Sequence, residues 1–218
     1  MADTTIPRAG FSGENLLCIR GERTVFTGLG FAVGPGDALV LTGPNGSGKS
    51  SLLRMMAGLL PPASGILYRD GEDIRAAPEE HRASLHYVGH LDAVKPVLTV
   101  AENLAFWAGI RQMEAPVGEA LGAFGLKNLA DTPARLLSAG QKRRLNLARL
   151  AASPAPLWLL DEPTVALDSA AVAALVALVA RHRESGGMAV VSTHIDLGIA
   201  ASATLAMAGF AAIGEPVP

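Results

Sequence analysis

Gly43-Pro44-Asn45-Gly46-Ser47-Gly48-Lys49-Ser50 has the form G-x-x-x-x-G-K-[ST]. The stretch before it, ALVLTG, is a continuous apolar run of the kind that forms a strand buried on both faces. The stretch after it, SLLRMMAGLL, reads as an amphipathic helix that PPASG ends, because proline cannot continue a helix and glycine permits the exit turn. Strand, glycine-rich loop and helix in that order make an anion cradle. The glycines let the backbone turn tightly and aim its N–H groups inward, and the helix opening at Lys49 adds the positive end of its dipole. Lys49 would set a cation on the β- and γ-phosphates of a nucleoside triphosphate. The Ser50 hydroxyl is a hard oxygen ligand for Mg²⁺, and Pro44, Asn45, Gly46, Ser47 and Ser51 complete the loop around the phosphates.

Outward from this loop the chain alternates short strands with helices. On the N-terminal side, residues 1–15 read as a polar, glycine-rich tail. LLCI and GLGFAV follow as short strands about the polar turn RGER. On the C-terminal side, ILYRDGEDI reads as a hairpin about Asp70-Gly71. Thr99 and Glu102 have capping-box spacing and open a helix through NLAFWAGIRQM. Further helices start near Val117 and after Ser138, the last of these carrying basic residues along one side. APLWLLDEP is then a strand, SAAVAALVALVARHR a helix and GGMAVVSTH another strand. Uniformly apolar strands alternating with helices predict an α/β fold with a largely parallel sheet.

Composition excludes several classes. The chain has 218 residues, 50% of them hydrophobic, with a net charge of −2. That is too apolar and too weakly charged for a disordered chain, and it lacks the basic balance of a nucleic-acid binder. Cys18 is the one cysteine, so neither an internal disulfide nor a cysteine-based zinc cluster is available. Leu197 to Gly214 carries no charge over 18 residues, the lower limit for a membrane span, but seven are Ala and three are Gly, and no basic or aromatic residue anchors either end. It reads instead as a last helix and edge strands. The N-terminus has no apolar signal segment. These features predict a cytosolic chain without membrane insertion.

Two more segments carry chemistry. Leu157 to Pro163 is an apolar strand ending in adjacent acids. At a strand's exit Asp161 can hold Mg²⁺, and Glu162 can act as general base toward the attacking water. Leu137-Ser138-Ala139-Gly140-Gln141 precedes a helix. The order G-x-x-x-x-G-K-S, LSAGQ, LLDEP, Val165 to Asp168, and Ser192-Thr193-His194 resembles the ATP-binding cassette ATPases over residues 16–195. The resemblance implies a P-loop core with an N-terminal antiparallel β portion, an inserted helical subdomain near residues 92–150, and a single ATP-binding domain over residues 16–218. It also implies a homodimer whose two copies meet head to tail over two Mg·ATP. Ser138, Gly140 and Gln141 would face the partner's γ-phosphate, Asp168 would cross between the sites, and His194 would contact the γ-phosphate and orient the water.

The chain departs from the family pattern at two places. His90 stands where the family usually has a Gln that senses Mg²⁺ and meets the membrane partner; an imidazole can still hydrogen-bond a metal-bound water, but it titrates near neutral pH. Arg20 stands where many members stack an aromatic residue on adenine, and a guanidinium plane can also stack on a base. Within the family, YVGH, LTVAENLAFW, LSAGQKRRLNLARL and ERTVFTGLGF are similar to the ATP-binding subunits of the haem exporter of cytochrome c biogenesis. That resemblance implies an ATPase docked peripherally on a separate integral membrane subunit at the cytoplasmic face of the bacterial inner membrane, with Phe106 and Trp107 as contact residues. An ATPase of another importer or exporter, and a soluble ATP-driven switch, are the alternatives.

Overall fold

The computed structural model describes residues 10–112, 116–195, 197–200 and 203–211. In chain order its elements are β1 (Phe11–Arg20), β2 (Arg23–Val33), β3 (Ala38–Thr42), α1 (Lys49–Met56), β4 (Ser64–Arg69), β5 (Glu72–Asp73), α2 (Pro78–Ala83), β6 (Leu85–Val88), α3 (Val100–Ile110), α4 (Val117–Ala123), α5 (Ala139–Ala152), β7 (Leu157–Asp161), α6 (Ser169–Glu184), β8 (Met188–Ser192) and β9 (Ala203–Ala206). One sheet is antiparallel in the order β2-β1-β4-β5, and the other has the order β6-β7-β8-β3-β9, parallel throughout.

The parallel sheet is covered on both faces, which is why its central strands are apolar up to their last residues, Thr42, Asp161 and Ser192. All five residues of β7 and all five of β8 are buried. Leu157 and Leu159 pack with Leu52, Leu53 and Phe26, from α1 and the antiparallel sheet. Trp158 and Leu160, on the opposite face, pack with Leu104, Leu147 and Leu175 of α3, α5 and α6. Because all strands of this sheet run the same way, the loops after β3, β6, β7 and β8 leave from the same edge, where α/β folds bind ligands.

Several expectations are corrected. Residues 11–15 are strand and not tail: β1 pairs with both β2 and β4, and Phe11 and Leu16 are fully buried. A break in the pairing between Gly13 and Leu16, with Asn15 at φ 48°, carries the polar Glu14 and Asn15 within the sheet and gives the segment its loop-like composition. Residues 1–9 lie outside the described residues. The helix after the glycine-rich loop ends at Gly58 (φ 65°), ahead of Pro61. Gly58 N–H donates to Met55 O and Leu59 N–H to Arg54 O, an exit that uses a left-handed glycine. Helix α3 stops at Ile110, short of Gln112, and Met113 lies outside the described residues.

Helix α2 and strand β6 had no clear sequence signal. Of the run from Leu197 to Gly214, residues 197–200 form no helix, Ala203–Ala206 is an edge strand beside β3, and Met207–Phe210 is a 3-10 turn; residues 201, 202 and 212–214 lie outside the described residues. No helix among the described residues is long and apolar enough to cross a membrane.

Candidate functional site

The loop between β3 and α1 is built around glycines with positive φ. Gly43 lies at 143°, Gly46 at 82° and Gly48 at 98°. A Cβ on Gly48 would sit 2.8 Å from Val25 Cγ1, and one on Gly43 would sit 2.8 Å from Ser47 Oγ. These two positions therefore need glycine both for backbone angle and for space. The buried Lys49 ammonium folds across the loop, donating to Gly43 O at 2.7 Å and Pro44 O at 3.3 Å, and lies 3.7 Å from Glu162 Oε1. The Ser47 hydroxyl is buried without a hydrogen-bond partner among the described residues. Positive-φ glycines, a cation and an unpaired hydroxyl at a helix N-terminus fit a polyphosphate.

The loop forms one wall of a cleft of about 520 Å³ that also contains Val25, His90, Glu162, Val165 and His194. Of the residues assigned from sequence, the structure thus brings together Gly46, Ser47, Gly48, Lys49, Ser50, Ser51, His90, Glu162 and His194. His194 is exposed and its Nδ1 lies 2.9 Å from Glu162 Oε2. Asp161 sits behind this wall, 2% exposed, with Oδ1 accepting from the Ser192 hydroxyl at 2.7 Å. Glu162 takes φ 44°, and its N–H donates to Ser192 Oγ at 3.0 Å. Ser192 thereby holds both acids from the neighbouring strand.

Other assigned residues lie apart from this cleft. Ser138 and Gln141 form a capping box at the start of α5, with Ser138 N–H donating to Gln141 Oε1 at 2.8 Å and Gln141 N–H to Ser138 Oγ at 3.2 Å. Ser138 and Ala139 are exposed at that end. A Cβ on Gly140 would stand 2.9 Å from Ala166 O, so this helix start fits closely against the loop after Glu162. Asp168 caps α6, accepting from Ala171 N–H at 2.8 Å. Arg20 is paired across the hairpin with Arg23 and does not line the cleft; Val25, five residues on, does.

Two of the basic residues of α5 are folded inward: Arg143 and Arg149 are 3% and 5% exposed. Arg149 donates to Tyr87 O and lies over the Trp107 ring at 4.9 Å, and burial pushes its pKa down to about 10.

The sequence profile of the ABC transporter family matches residues 26–165, well over half the chain. The chain belongs to the ABC transporter family. This ABC ATPase is 59% identical, over 92% of its length and 87% of the relative's, to a cytochrome c biogenesis ATP-binding export protein, CcmA, of Rhodospirillum rubrum. It is 55% identical, over the whole of both chains, to the protein of the same name from Paramagnetospirillum magneticum. The solved ATP-binding subunit of an ABC transporter superposes on 86% of this chain and 80% of its own, at 25% identity and a TM-score of 0.78. As a member of that family, the chain binds ATP and hydrolyses it, coupled to transport.

Proposed function

We propose that this ABC ATPase powers the haem-export step of cytochrome c biogenesis, docked on a separate integral membrane subunit at the cytoplasmic face of the bacterial inner membrane. The single observation that carries this reading is the 59% likeness to a cytochrome c biogenesis export ATPase over nearly the full chain. Two copies meet head to tail, and each binds ATP in the cleft of one chain beneath Ser138 and Gly140 of the other. That arrangement accounts for a signature helix start that is exposed and stands away from its own chain's cleft. Lys49 holds the β- and γ-phosphates. Glu162 takes a proton from the water that attacks the γ-phosphorus in line, while His194, hydrogen-bonded to Glu162, orients it. Asp168 reaches across the interface between the two sites.

Among the described residues no three His, Cys, Asp or Glu side chains converge on a metal site. Mg²⁺ would therefore bind through Ser50, Asp161 and the nucleotide's own oxygens, with His90 on a metal-bound water, and would neutralise phosphate charge. Product release separates the copies. Residues from about 92 to 150 serve as an inserted helical subdomain that passes the movement on. A groove of about 760 Å³ between the core (Leu59, His86, Tyr87) and α3 (Trp107, Ile110, Arg111) is the docking surface for the membrane subunit. Leu59 and Ile110 are 52% and 60% exposed there. Affinity purification from solubilised membranes, followed by identification of the co-purifying subunit and haem analysis, tests the assignment. A cytochrome c biogenesis membrane protein is expected; recovery of a solute importer's membrane subunit would refute the haem reading, and recovery of no membrane protein would favour a soluble switch.

A further inference from the structure

Arg143 occupies the second turn of α5 and is 3% exposed. Its guanidinium uses all five N–H donors on five acceptors. Nε donates to Pro163 O at 3.1 Å, and Nη2 to Asp161 O at 3.1 Å and Glu162 O at 2.8 Å. Three consecutive carbonyls around the glutamate therefore converge on one cation. Nη1 donates to Gly89 O at 2.9 Å and to Asp92 Oδ1 at 3.2 Å, on either side of His90. Asn146, also on α5, donates to the same Asp92 oxygen at 3.2 Å.

Glu162 needs such anchoring. A non-glycine residue at φ 44° is strained and persists only where its surroundings over-determine it. Ser192 grips its N–H from β8, and Arg143 grips its carbonyl and those of both neighbours from α5. The loop from Gly89 to Asp92 is itself continuous with a segment pinned to the helices. Asn103 accepts from Lys95 N–H at 2.8 Å and donates to Thr99 O at 2.8 Å, and Trp107 Nε1 donates to Ala93 O at 3.3 Å.

We propose that Arg143 is a positioning residue for hydrolysis: it fixes the Asp161–Pro163 backbone so that the Glu162 carboxylate faces the cleft, and it ties that backbone to the Gly89–Asp92 loop beside the docking groove. A displacement of that loop by the membrane subunit then reaches the base through one rigid, planar cation. Lysine, a point charge with three donors on a flexible stem, cannot hold both sets of carbonyls. The inference rests on Glu162 being the base.

The test uses the full chain purified with its membrane subunit, measuring kcat and KM for ATP together with the Kd of a fluorescent ATP analogue, for wild type, Arg143→Lys and Glu162→Gln. For Arg143→Lys, kcat is expected to fall about 100-fold, the order associated with a misplacement of about 1 Å, with KM and Kd within about twofold of wild type. A kcat within about fivefold of wild type, or nucleotide affinity lost in step with kcat as a merely structural role would give, overturns the proposal. Loss of turnover in Glu162→Gln with Arg143→Lys unaffected removes the role of Arg143 alone. Normal turnover in Glu162→Gln removes the base assignment and this proposal with it.

Discussion

Ser192 shows at the residue scale how two catalytic-type acids are held by a group that does no chemistry. Its hydroxyl donates to the buried Asp161 and accepts from the N–H of Glu162, so its loss leaves a buried carboxylate oxygen and a strained amide each short of one partner. Ser192→Ala is expected to cost about 1–3 kcal/mol in urea denaturation and to lower kcat for ATP; an unchanged midpoint together with unchanged turnover would contradict this role. Lys49→Ala is expected to lose ATP binding, read by the Kd of a fluorescent analogue, because the cation on the β- and γ-phosphates goes with it.

The residues of the glycine-rich loop and both acids were legible from local spacing, since each sits at the end of an apolar strand or in a motif read within eight residues, whereas His90 and His194 were pointed to by the resemblance to the ATP-binding cassette ATPases. Arg143, Val25 and the double role of Ser192 were not. Their partners lie 18 to 54 residues away for Arg143, and no local pattern marks which arginine of a helix turns inward.

The element scale turns on how helices begin and end. Two capping boxes are built alike: Thr99 with Glu102 on α3, where Glu102 Oε2 accepts from Thr99 N–H at 2.7 Å, and Ser138 with Gln141 on α5. Thr99→Ala and Ser138→Ala should each lose about 1 kcal/mol of stability, measured by urea denaturation. They should part in turnover: Ser138→Ala is expected to fall about tenfold or more if, as proposed, its hydroxyl also faces the partner's nucleotide, and Thr99→Ala is expected to hold. Equal turnover in the two variants would contradict the signature role of Ser138.

The Thr99 box was readable from sequence because capping is a four-residue pattern; Ser138 and Gln141 have the same spacing, and the structure shows them forming a second box. The end of α1 was misread because prolines at 61 and 62 outweighed Gly58, although an αL glycine stops a helix as firmly. Strand β6 escaped notice because Leu85-His86-Tyr87-Val88 is only four residues long and its buried His86 breaks the uniformly apolar run expected of a buried strand.

Over the whole molecule, the apolar residues gather in two cores that cover the two faces of the parallel sheet, one of them shared with the antiparallel sheet. Three histidines are folded into this body as neutral groups. Burial holds His86 down to about 3, with its Nε2–H donating to Ser153 O, and burial also lowers His81 and His182. Each binds a proton less readily in the folded chain than in the unfolded one, where a histidine titrates near pH 6.5. The unfolded state therefore gains protons as pH falls, so stability is level above about pH 6.5 and drops below it, by up to about 1.4 kcal/mol per pH unit for each such group. Urea midpoints measured from pH 7.5 to 5 should fall accordingly, and His86→Gln, whose amide can still donate to Ser153 O, should flatten the slope. A midpoint indifferent to pH over that range would contradict the burial of these rings as neutral groups.

The proposed mechanism turns on Glu162 activating water for ATP hydrolysis. Single-turnover release of γ-phosphate by the Glu162→Gln variant at saturating Mg·ATP measures this most directly. ATP is expected to bind with wild-type affinity, stay uncleaved and hold two copies together as a dimer on size exclusion. Phosphate release at the wild-type rate would contradict it.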